Sequence, residues 1–201
     1  YIWSGSSISI ADNLDALNLN PAGLGFNRGE QQALIFKNLE GDNNFIGLTS
    51  RYKSGFAYEL YYDNSSYNYS IGYGSQLMNN FYSGFKLNKK RDYSLGLLYR
   101  PFDFLSISSV IYDNHRNADY KLSRYSFAIK PFEINKLFSN KNSYLKKSNF
   151  SFGYDKTTNE IDQKIQEQYF LSLTITPGID FSYFAYDDNY GFNLSFNLGK
   201  E

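Results

Sequence analysis

The chain has no cysteine, and only one histidine, one methionine, one tryptophan and four prolines among its 201 residues. Without thiols there is no disulfide scaffold, zinc–thiolate site or cysteine nucleophile. Excess charge is missing as well: 20 Lys+Arg face 20 Asp+Glu, a formal net charge of zero. A nucleic-acid binder needs a basic face to meet phosphates, so nucleic acid is excluded as a partner. Long apolar runs are absent too. The longest near-apolar stretches, such as 93–99, fall far short of the ~18 residues a spanning helix needs. That excludes a helical membrane protein and leaves membrane β-barrels open. No phosphate-binding loop, dinucleotide fingerprint or zinc-helix motif occurs.

Aromatic residues are what the chain has in plenty. Tyr 20 and Phe 18 bring the aromatic share to 19%, yet mean hydropathy is −0.50. Disordered chains lack aromatics and usually carry net charge, so a folded chain is expected.

Strict alternation explains how a hydrophilic chain holds so many rings. Phe192, Leu194, Phe196 and Leu198 alternate with Asn193, Ser195 and Asn197. Tyr67, Tyr69, Ile71 and Tyr73 alternate with Asn68, Ser70, Gly72 and Gly74. Tyr93, Leu95, Leu97 and Tyr99 repeat the pattern, as do Tyr169, Leu171, Leu173 and Ile175. A period of two marks a strand with two chemically different faces. Twelve such segments are predicted, at 31–38, 44–52, 55–63, 66–76, 81–88, 92–100, 104–113, 120–130, 148–155, 167–176, 178–187 and 189–199. The expected fold is all-β: an antiparallel up-and-down transmembrane β-barrel over residues 31–201, with residues 1–30 as a separate N-terminal segment.

Turn residues separate the segments: Asp63-Asn64-Ser65, Met78-Asn79-Asn80, Asn88-Lys89-Lys90 and Asp187-Asp188-Asn189. Pro101, Pro131 and Pro177 share a hairpin context, and a proline marks a strand end because it cannot donate to a ladder. They follow the sixth, eighth and tenth segments, so alternating turns put all three on one rim. Both chain ends fall on that rim, which in bacterial outer-membrane barrels faces the periplasm.

Alternation does not itself say which face is inside. The polar sets are largely Asn, Ser, Gly and Thr, with scattered Arg51, Glu59, Arg100, Arg124, Lys130 and Asp180. Exposed faces of soluble sheets usually carry Lys, Glu and Thr. Small neutral side chains suit a narrow wet lumen, with those six charged residues as its lining. The apolar sets contain no charge, as a lipid face demands, since Arg or Lys at mid-membrane costs about 2–4 kcal/mol. Tyr52, Tyr61, Tyr62, Tyr99, Tyr112, Tyr120, Tyr186 and Tyr190 lie near strand ends. They are expected to form the aromatic girdles of a membrane interface.

Residues 1–30 read differently. Residues 11–17 have room for two helical turns, with Asp12 as cap. Asn18-Leu19-Asn20-Pro21-Ala22-Gly23-Leu24-Gly25-Phe26 then makes a tight turn and glycine-rich backbone. The stretch is either a lead-in loop or a plug folded back into a lumen. Together with Ala11-Asp12-Asn13-Leu14-Asp15-Ala16-Leu17, it resembles the N-terminal signature of outer-membrane barrels similar to the long-chain fatty-acid transporters. In those barrels the segment is a hatch, and the resemblance assigns Asp12, Leu14, Leu17, Asn20, Pro21, Ala22, Gly23 and Leu24 to it. The chain departs from that family in having fewer strands and mostly short connections. Gly25-Phe26-Asn27-Arg28-Gly29-Glu30 also resembles barrels that precede a periplasmic signal-peptide-peptidase-type serine protease, although no protease lies within these residues. The chain opens on Tyr1 without a charged-then-apolar leader and closes on Gly199-Lys200-Glu201 instead of a strand-terminal aromatic. A mature or excised segment whose natural chain runs on into the periplasm is expected.

Little in the sequence suggests catalysis. His115, in Asp113-Asn114-His115-Arg116-Asn117, reads as a solvated loop residue, with a membrane hydrolase as the alternative. Asp155 and Asp187-Asp188 could pair as catalytic carboxylates or bind calcium at the outer rim, but no calcium-loop spacing accompanies them and turn chemistry explains the Asp-Asp-Asn run. No metal or other cofactor is expected. Two longer connections are expected as well. The one at 132–147 carries four lysines and either lies along the membrane interface, contacts a periplasmic partner or is a long turn. The other, at 156–167, is read as a polar loop with a hint of short helix at Ile161 and Ile165. The functional expectation is a non-catalytic barrel in the bacterial outer membrane, in contact with lipid. It either passes small or apolar solutes or anchors a periplasmic partner or fused domain.

Overall fold

A computed structural model of the chain describes residues 7–12, 14–26, 29–38, 44–63, 66–89, 92–113, 121–131, 149–161, 163–176, 179–186 and 189–196. Twelve strands form one antiparallel sheet in sequence order. They are β1 (Gln31–Asn38), β2 (Asn44–Arg51), β3 (Phe56–Asp63), β4 (Ser66–Met78), β5 (Phe81–Asn88) and β6 (Tyr93–Phe102). The second half comprises β7 (Leu105–Asp113), β8 (Lys121–Ile129), β9 (Asn149–Asn159), β10 (Ile165–Thr176), β11 (Ile179–Tyr186) and β12 (Asn189–Phe196). Every neighbouring pair is a hairpin, which is the up-and-down topology expected from the alternation. Among the described residues no pairing joins β1 to β12.

The polar set is the buried one. On β6, Ser94, Gly96 and Leu98 are buried, while Leu95 and Leu97 are 51% and 47% exposed. On β4, Tyr69, Ile71 and Tyr73 are exposed around buried Ser70, Gly72 and Gly74. Register carries this phase across the sheet: Tyr73 lies opposite Phe85, Phe85 opposite Leu95, and Leu95 opposite Ile111. A one-residue slip would exchange the faces, so the phase is a property of every ladder at once.

The sheet is strongly curved. Ser7 bonds to β8 and β9, whereas Asp12, a few residues on, bonds to β2 and β6. A flat sheet would set β2 and β9 roughly 33 Å apart at about 4.8 Å per strand. The chain between Ser7 and Asp12 is itself folded into a turn, with the Ile10 N–H donating to the Ser7 carbonyl at 3.2 Å. The strands therefore wrap around the N-terminal segment, which lies in their concave side.

Several local expectations need correction. Residues 156–167 are not a loop with a helical turn. Lys156, Thr157 and Thr158 extend β9, opposite Glu167, Gln166 and Ile165 of β10, and β8 pairs with the same residues from the other side. Ladders on both flanks satisfy that backbone, so polar composition does not make it a loop. Pro101 does not end its strand; β6 continues to Phe102, and the ladder to β7 is irregular between Tyr99 and Phe102. Tyr112 is not a girdle residue, because its parity is that of Val110 and its hydroxyl donates inward to the Leu19 carbonyl at 2.5 Å. Tyr61 and Tyr186 also occupy concave-face register positions, opposite Asn68 and Gln168, whereas Tyr52, Tyr62, Tyr99 and Tyr190 are exposed as expected. Tyr120, Pro177 and the 132–147 connection lie outside the described residues.

The turn after β9 carries a rim ion pair, Lys121 Nζ to Glu160 Oε2 at 2.7 Å, and the Ser123 hydroxyl also donates to Glu160. These two hydrogen bonds hold the Glu160 carboxyl below its ordinary value. Its stabilising contribution is therefore present above the unfolded-state value and is lost as pH falls through the lower folded-state value. Carbon-13 titration of the folded chain in detergent is expected to find Glu160 below the usual glutamate range, and Lys121→Met to move it upward.

Candidate functional site: a segment seated in the concave face

The described part of the N-terminal segment, 7–12 and 14–26, runs through a turn, a single helical turn α1 (Ala16–Leu19) and a 3-10 turn (Pro21–Gly25). The helix is shorter than the two turns expected over 11–17. Its N-cap is Asp15, without a side-chain cap bond, and Asp12 instead pairs with Arg100 at 2.8 Å. Asn20 makes the effective cap. Its Oδ1 accepts from the Ala22 N–H at 3.1 Å, ahead of a proline suited to the first helical position. Its Nδ2 donates to the Ile8 and Leu97 carbonyls. One buried amide thus closes the turn, ties it to residue 8 and docks it on β6.

The seat for this turn is a row of glycines. Gly74, Gly84 and Gly96 stand directly opposite one another on β4, β5 and β6. A Cβ on Gly74 or Gly84 would fall closer than 3.0 Å to the Pro21 carbonyl, and one on Gly96 would strike Asn20 Oδ1. Close backbone approach is what glycine permits inside a strand. Gly55, in the β2–β3 turn, has φ +85 and faces the Gly74 carbonyl, so both its conformation and its space exclude a side chain.

Buried apolar clusters flank the row and join segment to wall. Ile8, Ala11 and Leu19 meet Val110; Ala16, Leu17 and Leu24 meet Ala57; Ala22 meets Tyr82 and Leu98. Phe26 stacks on Tyr82 at a centroid distance of 4.0 Å, with the Arg100 guanidinium 4.2 Å from its ring centre.

Charged side chains predicted to line a lumen are mostly on this concave face, and they hold the segment. Arg51 is 1% exposed and donates to the carbonyls of Asp12, Leu24 and Phe26. Glu59 is buried and accepts from Asn18 at 3.2 Å and Thr49 at 3.4 Å. Arg100 donates to Asp12 and to the Ser9 carbonyl. Arg124 holds the segment through Asp155. It pairs with Asp155, 1% exposed, which accepts from the Ser7 hydroxyl at 2.5 Å. Lys130 is half-buried at the end of β8. Asp180 stands opposite Thr174 and Ser195, and its side chain lies outside the described set.

The residues assigned to the hatch fall together. Leu17, Asn20, Pro21, Ala22, Gly23 and Leu24 are buried, and Asp12 and Leu14 are half-buried.

Sequence reasoning missed Lys86, whose ammonium donates to Asn18, and the serine cluster in which Ser7, Ser9 and Ser126 bond at 2.8 to 2.9 Å. The available signal for Lys86 was parity, two residues beyond Gly84 and opposite Gly72 and Ser94. Asp155 is not the outer-rim carboxylate expected. It lies on the concave face beside Ser126, diagonal to Arg124. His115, Asp187 and Asp188 lie outside the described residues, and no group of three or more metal-ligating side chains occurs among the described ones. Comparison with protein-family models, characterised proteins and solved structures finds no match to this chain.

Two outcomes follow for this site. Gly84→Val keeps a residue suited to a strand but fills the seat. Amides of 17–23 are expected to lose hydrogen-exchange protection while the sheet amides keep theirs. Arg124→Met alone is expected to cost about 3–5 kcal/mol in urea unfolding, because it strands the buried Asp155 charge. Arg124→Met combined with Asp155→Leu is expected to cost clearly less than the two singles summed.

Proposed function

We propose that this chain is a non-catalytic β-barrel module of a bacterial outer membrane, with its termini on the periplasmic side. In this reading the N-terminal segment is a hatch whose displacement lets small solutes pass. The observation that carries the reading is the phase of the faces: the exposed, convex side presents Tyr, Leu, Ile and Phe, while Ser, Gly, Arg, Glu and Asp are buried on the concave side. A sheet in water gains by the opposite arrangement, whereas a barrel in lipid requires this one. The resemblance of 11–25 to the hatch of fatty-acid-transporter-like barrels supports the same reading. So does the location of that segment between strands from β2 to β9.

The wall behind the segment supports a wet path. The hydroxyls of Ser70, Ser94 and Ser108 are buried on the concave face and have no hydrogen-bond partner among the described residues. Such groups are satisfied by water. Arg51, Glu59, Lys86, Arg100 and Asp155 are engaged in holding the segment, and the reading gives none of them a catalytic role.

Leu95→Arg separates this reading from a soluble sheet. Leu95 lies between Tyr93 and Tyr99 on the exposed face of β6 and is half exposed. In a bilayer the substitution is expected to cost about 2–4 kcal/mol in vesicle refolding titrations. In a soluble protein an exposed position of this kind changes stability by about 0.5 kcal/mol or less, and that smaller result would overturn the proposal.

A further inference from the structure

We infer that the path opened by displacing the N-terminal segment selects for small anions. The inference rests on the hatch reading and deepens it. It follows from which charges stay on the wall and which leave with the segment.

In the seated state the cations of the wall are matched largely by groups of the segment itself. Arg100 faces the Asp12 carboxylate, and Arg51 faces three segment carbonyls. Lys86 faces the Asn18 side-chain oxygen. Moving the segment removes Asp12, Asp15, those carbonyls and Asn18 together. The wall keeps Arg51 on β2, Lys86 on β5 and Arg100 on β6, all at concave-face positions of the region the segment had filled.

The wall's own carboxylates do not cancel this set. Asp155 is already paired with Arg124. Glu59 is the one other acidic side chain of the described wall that touches the segment, through Asn18. Asp92 lies just before β6, hydrogen-bonded to Asn88 and near enough to Lys86 to act on its charge, so it counts beside Glu59. Among the described side chains around the vacated region, three cations against two carboxylates therefore remain in a confined, partly desolvated passage. Low-dielectric walls focus such a field and raise the local concentration of ions of opposite sign. The serine hydroxyls of the same wall offer donors to an anion as it sheds water. The segment serves as the counter-ion of the closed state, and a small anion takes that place in the open one.

The test is the full chain in planar lipid bilayers under a potassium chloride gradient, read as conductance and reversal potential. The seated wild type is expected to conduct little. Gly84→Val, which unseats Pro21, is expected to raise conductance, with a reversal potential of the sign that chloride carries. Asp12→Asn removes the carboxylate facing Arg100 without altering the seat, and serves where Gly84→Val does not fold. Adding Arg51→Gln and Arg100→Gln is expected to preserve conductance, because both also loosen the segment, while moving the reversal potential towards zero or to the potassium sign. A role confined to holding the segment would raise conductance and leave selectivity where it was. Potassium preference in the unseated variants, or chloride preference unmoved by the Arg substitutions, overturns the anion inference and leaves the pore reading standing. No conductance in any variant overturns the pore reading itself, and the anion inference with it.

Discussion

Backbone lies against backbone where Pro21 crosses β4, β5 and β6, and it can do so only because Gly74, Gly84 and Gly96 have no side chains. That close approach sets the depth of the whole segment. With Pro21 seated, Asn20 reaches the Leu97 carbonyl, Leu17 and Leu24 close over Ala57, and Phe26 lies on Tyr82. Asp12 then comes within reach of Arg100. The buried apolar clusters of the described residues all join this segment to the wall. What serves as a hydrophobic core in an ordinary sheet protein is here the interface between the wall and its insert.

The rest of the concave face is polar by necessity. Once the large apolar side chains point outward on alternate positions, the inward positions must hold what a crowded, hydrated interior accepts. Those are small hydroxyls, glycines and charges with partners. The Arg124–Asp155 pair with its serines, and Arg51 on three carbonyls, are this requirement met by the segment and its neighbours. The groups that satisfy Arg51, Lys86 and Arg100 belong largely to the inserted segment.

Much of this was legible beforehand, and the reason is period. The described strands lie within a few residues of the alternating segments, from β1 at Gln31–Asn38 to β5 at Phe81–Asn88. A two-residue repeat survives without any knowledge of partners. The inward position of Arg51, Glu59, Arg100 and Arg124 follows from the same parity. Parity failed where a residue class was used in place of position. Grouping Tyr112 with interface tyrosines overlooks the phase it shares with Val110, and polarity alone makes residues 156–159 resemble a loop. The glycine seat was invisible for another reason. Its meaning lies in the register of three strands and in a segment some fifty residues upstream or more, neither of which local pattern contains.

In the proposed barrel the convex, apolar face meets lipid and the concave face does not. Because the chain has no cysteine, single cysteines at positions 93, 94, 95, 97, 98 and 99 of β6, with Gly96 left in its seat, can carry one nitroxide each in reconstituted vesicles without background labelling. The measurement is the ratio of collision with dissolved oxygen, which partitions into lipid, to collision with a water-soluble nickel chelate. A two-residue oscillation is expected, with oxygen dominant at 93, 95, 97 and 99 and access low for both probes at 94 and 98. An oscillation of opposite phase, or nickel access dominant at Leu95 and Leu97, would contradict it.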